Sequence, residues 1–311
     1  MDARITKSRL SNFISYEWLK IAVTAVAAII FWLIVLATAQ TRPGVGGRFL
    51  FIVNQELMTG QDYTNFEETA ENNGVFSYEV LDYNSTTLTS SYASFILGAR
   101  FAVGEGDLLI VSDMPFYDKN KQKVTDSYFD ELVGSYAGYL GDYEKYFADC
   151  EAYLDAYYGG DYETGALDEG YLEEKFRERM KKDKRFKTEA QIAVGLGEER
   201  ARIESLRENY FAVQDYIADG VLSLQWAECV VEDVNGESLD RSGTYGLQID
   251  GSRLRSMERF AYLSAYDEEG NAFKTVDTLT FVVLPWADRQ YDLQWEPLGM
   301  IRCLVEQYLD A

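Results

Sequence analysis

The hydrophobic positions divide the chain into one long uncharged run and a series of shorter apolar segments separated by polar, glycine-containing breaks. Ile21 to Ala39 carries no charge, and Thr24 and Thr38 are its only polar side chains. As a helix, a run of this length spans about 28 Å, the thickness of a bilayer's hydrocarbon layer, and Trp18 and Trp32 are placed for interfacial or lipid contact. The run therefore predicts a transmembrane helix over 21–39, preceded by a leader (1–20) and followed by a short tether, QTRPGVGG, over 40–47.

The shorter segments follow strand and helix periods in alternation. Arg48–Leu57 is a nearly continuous apolar run of strand length, as expected of a strand covered on both faces. Thr64 and Glu67 form a capping box for a helix that Asn73-Gly74 stops. Phe76–Tyr83 predicts a second strand. Thr87–Val103 predicts a helix whose apolar stripe is Leu88, Tyr92, Phe95, Ile96 and Ala99, ended by Gly104 and Gly106. Asp107–Asp113 predicts a third strand, completing a βαβαβ unit with parallel strands.

After Pro115 the pattern becomes helical. Tyr128–Tyr158 predicts one helix, and GGDYETG (159–165) a loop. Residues 168–220 predict two helices hinged near Gly195 and Gly197. Strand patterns return at Val221–Glu232, Tyr245–Ile249 and Thr278–Leu284, and the chain closes with a helix over Leu293–Leu309. The expected fold class is α/β. An α/β lobe (48–116 and 221–311) is interrupted by a largely helical insertion (117–220), and the whole of 48–311 forms one extracytoplasmic domain.

Charge sets orientation and limits partners. Arg4, Lys7, Arg9 and Lys20 precede the apolar run, whereas only Arg42 and Arg48 follow closely, which puts the amino terminus in the cytoplasm. The chain is then a single-pass protein of the cell membrane with its bulk outside. Ala37-Thr38-Ala39 also fits a signal-peptidase site, so a cleaved signal is the competing reading, and both readings export the domain. The net charge is −23, and the first forty residues carry only two of the 52 acidic side chains, so the exported part is strongly acidic. Such a surface repels nucleic acid and anionic headgroups. With no histidine, His-based triads and His-ligated zinc are excluded. Cys150, Cys229 and Cys303 allow at most one disulfide and read as small buried apolar residues.

The segment Phe95–Asp113, FILGARFAVGEGDLLIVSD, resembles the helix and strand of extracellular solute-binding proteins of bacterial ABC importers. Thr278–Leu309 is similar to their terminal strand and helix. The order of elements, with a late return to the first lobe, carries the same resemblance, which covers the first and last parts of the exported region and leaves 117–220 outside it. It implies a solute-binding-protein-like lobe, a small polar solute as ligand, and an ABC permease or envelope protein as partner. The leader, DARITKSRLSNFISYEWLKI, resembles the anchors of uncharacterised membrane proteins of Gram-positive bacteria.

In an open α/β sheet, ligands bind beyond the carboxyl ends of the parallel strands. Here that edge predicts Asn54, Gln55, Tyr83, Ser112 and Asp113 as ligand-binding residues. Trp286, after the terminal strand, would stack on a sugar or similar solute. The competing role for these residues is structural, as caps, turns and packing. Lys175–Lys187 (KFRERMKKDKRFK) offers a second candidate surface, with Arg177, Lys181, Lys184 and Arg185 facing an anionic partner; intramolecular pairing with Glu173, Glu174 and Glu178 is its alternative. Asp233-Val-Asn-Gly-Glu reads as a turn, since it lacks the ligand pattern of a calcium loop. No carboxylate pair stands out as a general acid and base, so no catalytic residue, cofactor or metal is expected. The two functional readings are a membrane-anchored solute-binding-like protein and a non-catalytic interaction domain on the same scaffold.

Overall fold

The computed structural model describes residues 20, 22–32, 49–54, 57–63, 66, 81–86, 93–182, 186–232, 236–285 and 294–310. The chain divides into two units, 1–44 and 45–311, with the boundary inside the expected tether. In the first unit, 22–32 is helical, and Val23, Val26, Ile29, Ile30, Phe31 and Trp32 are each 51–65% exposed, so this helix buries no apolar face. Among the described residues no helix is long and apolar enough to cross a membrane. Ile21 and residues 33–39 of the expected span lie outside them.

The second unit is a mixed helix and sheet fold. In chain order its elements are β1 (Phe49–Asn54), β2 (Leu57–Thr59), β3 (Leu81–Thr86), α1 (Ala93–Ala102), β4 (Leu108–Ser112), β5 (Phe116–Tyr117) and β6 (Lys123–Thr125). The helices α2 (Tyr128–Tyr136), α3 (Tyr143–Tyr157), α4 (Glu169–Arg179) and α5 (Glu189–Ala218) follow. Then come β7 (Leu222–Ala227), β8 (Val230–Glu232), β9 (Ser238–Asp240), β10 (Gly243–Ile249), β11 (Ala261–Tyr266), β12 (Ala272–Thr275), β13 (Leu279–Val283) and α6 (Glu296–Tyr308).

The main sheet has the order β3-β1-β4-β13-β10-β7. β1 pairs in parallel with β3 and β4, as the apolar runs predict, and β13 returns antiparallel beside β4. Side chains alternate across this sheet. Leu108 and Ile110 of β4, and Leu279, Phe281 and Val283 of β13, enter one core with α3, α5 and α6. Leu109, Val111, Val282 and Leu284 enter a second core with α1 and α2. Val111 is 1% exposed, as a strand covered on both faces requires. A bulge in β10 between Thr244 and Gly246 moves Tyr245 to the α2 side, while Leu247 and Ile249 stay on the other.

Helix starts follow their capping residues. Ser127, Asp142, Asp168 and Thr188 each accept a bond from the backbone N–H three residues on, and Thr188 and Gln191 complete a capping box.

Four expectations are corrected. The helix expected over 128–158 is two, because the chain turns at Gly141, where a Cβ would stand 2.6 Å from Val283 Cγ2. Gly195 and Gly197 lie within the unbroken α5, and the break falls between Met180 and Thr188 instead. Gly195 is there for space, since a Cβ would come within 2.5 Å of both the Phe176 and Phe186 rings. In α1 the buried stripe is Leu97 and Phe101, while Phe95 is 77% and Ile96 45% exposed and Ala99 faces solvent; Leu88 and Tyr92 lie outside the described residues. This helix is apolar on both faces, so periodicity alone selects the wrong one.

The fourth is a second sheet, β12-β11-β5-β6 with β2 on β11, for which the pattern gives no sign. The helix expected from Thr64 to Asn73 lies outside the described residues except at Phe66.

Candidate functional site

The carboxyl edge of the parallel strands is formed by the ends of β1, β3 and β4. The register sets Asn54 beside Thr86, and Val53 beside Ile110. Tyr83 is not at this edge: β3 runs on to Thr86, so Tyr83 sits within it opposite Phe51, while residues 76–80 lie outside the described residues. The apolar pattern of Phe76–Tyr83 predicts an earlier end because Asn84, Ser85 and Thr86 are polar. Gln55 and Trp286 lie outside the described residues, and Asn54 is described in its backbone alone. Of the predicted binding residues, Ser112 and Asp113 are the two at this edge whose side chains are described.

These two residues project to opposite faces. Ser112 continues the Leu108–Ile110 face and is fully buried, and its Oγ has no hydrogen-bond partner. Asp113 continues the Leu109–Val111 face and is tied into the fold. Ser127 Oγ donates to Asp113 Oδ1 at 2.7 Å, Gln248 Nε2 donates to Oδ2 at 3.5 Å, and the Asp113 N–H donates to the Thr278 carbonyl at 2.9 Å. Since Ser127 also caps α2, Asp113 holds the start of that helix against the sheet. Nearby, burial raises the Asp130 carboxyl pKa, helped by the negative charges of Asp113 and Asp126. Thr278 has φ of +67°, a left-handed conformation that costs a β-branched residue energy, and its buried Oγ1 lacks a partner.

What lies beyond the edge matters more. β1 runs into β2 after two residues, and β4 runs into β5 after three. β11 pairs with both continuations, Leu57 facing Leu263 and Tyr117 facing Tyr266. Leu57 and Leu263 are buried in the main core. The second sheet thus begins where an open α/β sheet would leave its ligand crevice.

Three of the basic side chains in the segment, Lys175, Arg177 and Arg179, are paired from within. Arg177 Nε donates to Glu173 Oε1 at 2.7 Å and Nη2 to Glu189 at 3.3 Å, while Lys175 lies 3.6 Å from Glu178. Arg179 reaches the buried Glu199, which Arg202 also grips through two bonds, 3.1 and 2.9 Å. Arg202 donates to Tyr153 Oη at 2.8 Å, linking α3, α4 and α5. Lys181 is exposed, and Lys184 and Arg185 lie outside the described residues.

Most tyrosines of 128–158 belong to the core rather than to a contact face; Tyr139, at 43% exposure, is the exception, and Tyr153 is half-buried. Tyr128 and Tyr143 are fully buried; Tyr143 Oη donates to the Phe281 carbonyl, and Tyr146 Oη to the Gln294 carbonyl at 2.7 Å. Burial raises the pKa of both Tyr143 and Tyr146 far above the ordinary phenol value. The three cysteines are free and buried, and burial pushes the Cys150 thiol up as well, which makes it inert. β8 and β9, on either side of the turn expected at Asp233–Glu237, pair antiparallel, and Gly236 has φ of +80°; residues 233–235 lie outside the described residues.

A cavity of about 630 Å³ opens in the helical insertion, lined by none of the predicted strand-edge residues, with Tyr158, Leu167, Glu204, Arg207 and Phe211 among its walls. The Arg207 guanidinium lies 4.6 Å above the Tyr158 ring. The loop signal at 159–165 marks its rim, but nothing in the sequence shows that α5 would close the other side. Among the described residues no group of three or more acidic or cysteine side chains suits a metal ion. No family model, no curated protein and no solved structure matches the chain.

Proposed function

We propose that the chain is a membrane-anchored, non-catalytic interaction domain, built on a scaffold of the solute-binding type and held on the outer face of the cell membrane. The observation that carries this reading is the state of the strand edge: Asp113 is committed to Ser127 and Gln248, and the second sheet continues directly from β1 and β4. The parallel β1, β3 and β4 with an antiparallel return strand support the scaffold. The uncharged run Ile21–Ala39 and its basic flank support the anchor and its orientation. An ABC permease or another envelope protein is the partner class this arrangement suits.

Solute binding is the second reading, favoured by the buried, unpartnered hydroxyl of Ser112 at the carboxyl end of β4. One pair of measurements separates the two. The full-length protein in detergent is heated with panels of sugars, amino acids and short peptides, and cells expressing it are treated with a short crosslinker. The interaction reading expects no thermal stabilisation and a discrete crosslinked partner in the envelope. A solute that raises the melting temperature, with the shift lost in Ser112→Val, would replace it with solute binding. Protease added to wall-stripped cells should remove the acidic domain and spare the leader; a protected carboxyl terminus would reverse the orientation.

A further inference from the structure

We infer that β7 is a strand-addition edge that takes an extended, basic and apolar segment of a partner polypeptide. The inference rests on the interaction reading and names the surface and the chemistry of what binds there. Among the described residues β7 is the last strand of the main sheet, paired on one side only, with β10. In an antiparallel pair, alternate residues turn their N–H and C=O groups away from the neighbour, so an outer strand offers a row of unpaired donors and acceptors.

Proteins ordinarily protect such an edge with lysine, proline or an inward-pointing charge. β7 has none of these: Val221 to Ala227 reads VLSLQWA, without a charge or a proline in a chain of net charge −23. Two of its large apolar side chains are left uncovered, Leu224 at 41% and Trp226 at 61% exposure. Both lie on the face whose first position, Leu222, is buried in the main core, so the cover on that face ends at Leu222 and leaves the rest of the strand open.

The charges around this strip select the occupant. Trp226 stands opposite Thr244 in the register, and Thr244 is held by the amino terminus of α3: its N–H donates to Asp142 Oδ2 at 3.0 Å, and its hydroxyl lies 3.5 Å from Glu144 Oε1. Glu228 follows the strand directly and is exposed, as is Glu232. Nearby cations are engaged or turned elsewhere. Lys145 pairs with Asp149 at 2.8 Å, and the Arg241 guanidinium reaches to Gly138, at the end of α2 on the other face. An aromatic ring beside two carboxylates is a receptor for a lysine or arginine side chain, which stacks on the ring and pairs with the acids. Main-chain pairing with β7 supplies affinity, and alternate side chains falling on Leu224 and Trp226 supply register. A second copy of this chain would bring its own carboxylates to the same place, which like-charge repulsion disfavours.

The test uses the full-length protein in detergent and a labelled peptide of alternating lysine and valine, read by fluorescence anisotropy. Two further peptides are compared, one of alternating glutamate and valine and one of alternating lysine and valine with every second amide N-methylated. The expected result is binding of the lysine peptide alone, weakened about tenfold in Leu224→Lys/Trp226→Lys and also weakened in Glu228→Lys, with melting temperatures unchanged. Equal binding of the N-methylated peptide, equal binding by the variants, or no binding would overturn the inference. So would a concentration-dependent dimer that the double variant abolishes without any effect on the peptide, since the edge would then belong to a second copy. If the crosslinked envelope partner persists while the peptide fails to bind, the edge is wrong and the interaction reading stands. If that partner is absent and a solute stabilises the protein, the interaction reading itself has failed.

Discussion

The centre and the outer edge of the main sheet are made of similar residues and live in opposite surroundings. In β4 and β13 every residue is buried, with helices or the second sheet on both faces. In β7 only the first and last residues are buried, although Leu224 and Trp226 are as apolar as anything in β13. Apolarity therefore does not decide burial here; position in the strand order does. The centre owes its stability to cover, and the edge has been left without it, which is the condition under which an exposed aromatic is worth explaining.

The largest effect expected of this contrast is at the centre. Phe281→Ala removes a ring that is 1% exposed from the core between β13 and the helices, and should destabilise the domain by about 3–5 kcal/mol. Urea unfolding checks this. A loss of under about 1 kcal/mol would mean that the core repacks and that the sheet's centre is no better determined than its edge.

The helical cover has its own anchor in Glu199, which is 5% exposed and held by Arg202 and Arg179. Glu199→Gln leaves Arg202 buried without its charge partner and should cost about 3 kcal/mol. The pH dependence follows from the direction of the shift. Burial by itself raises the Glu199 pKa, but the hydrogen bonds and charges of Arg202 and Arg179 together outweigh it and hold the carboxyl below its ordinary value. As pH falls the unfolded chain therefore takes up the proton first. The wild-type advantage over Glu199→Gln should be constant above the ordinary glutamate range and shrink as pH falls through that range to the lower folded pKa. An advantage that grew on acidification would show that burial dominates and that the pair is a cost rather than an anchor.

Much of this architecture is legible in the sequence because its signals are local. The uninterrupted apolar runs Leu108–Val111 and Leu279–Leu284 mark strands covered on both faces, and Asp168 marks a helix start. The misread glycines show the limit. Gly195 looks like a stop, yet it lies inside α5 because two phenylalanine rings from elsewhere need its space, a fact no local window contains. The second sheet is hidden for the same reason: β2 is a strand through its pairing with β11, and the short β5–β6 pair joins the sheet through the same strand, more than a hundred residues away in sequence. The site was least legible of all. Ser112 and Asp113 are at the strand end as expected, but strand alternation points them apart, and the partners that occupy Asp113 come from α2 and β10.

Ser112 sharpens the comparison, as it is a polar group in the centre. Its hydroxyl is buried with no partner, so Ser112→Ala should be neutral or stabilising by up to about 1 kcal/mol. A destabilisation beyond that would reveal an acceptor that the hydroxyl satisfies in solution, and would strengthen the solute-binding reading of the edge.

The smallest effect belongs to β7. Replacing a tryptophan is among the most damaging core substitutions, yet Trp226→Thr should change the unfolding free energy by less than about 0.5 kcal/mol. The ring is 61% exposed, so folding withdraws only part of it from water, and threonine keeps a good strand propensity at an edge position. Equilibrium urea unfolding of the full-length protein measures the difference directly. A cost above about 2 kcal/mol would place the ring in a packed environment, and the centre and the edge would then no longer differ. A near-zero cost leaves Trp226 with no part in holding the fold together, and a large aromatic side chain that the fold does not use is what a docking edge requires.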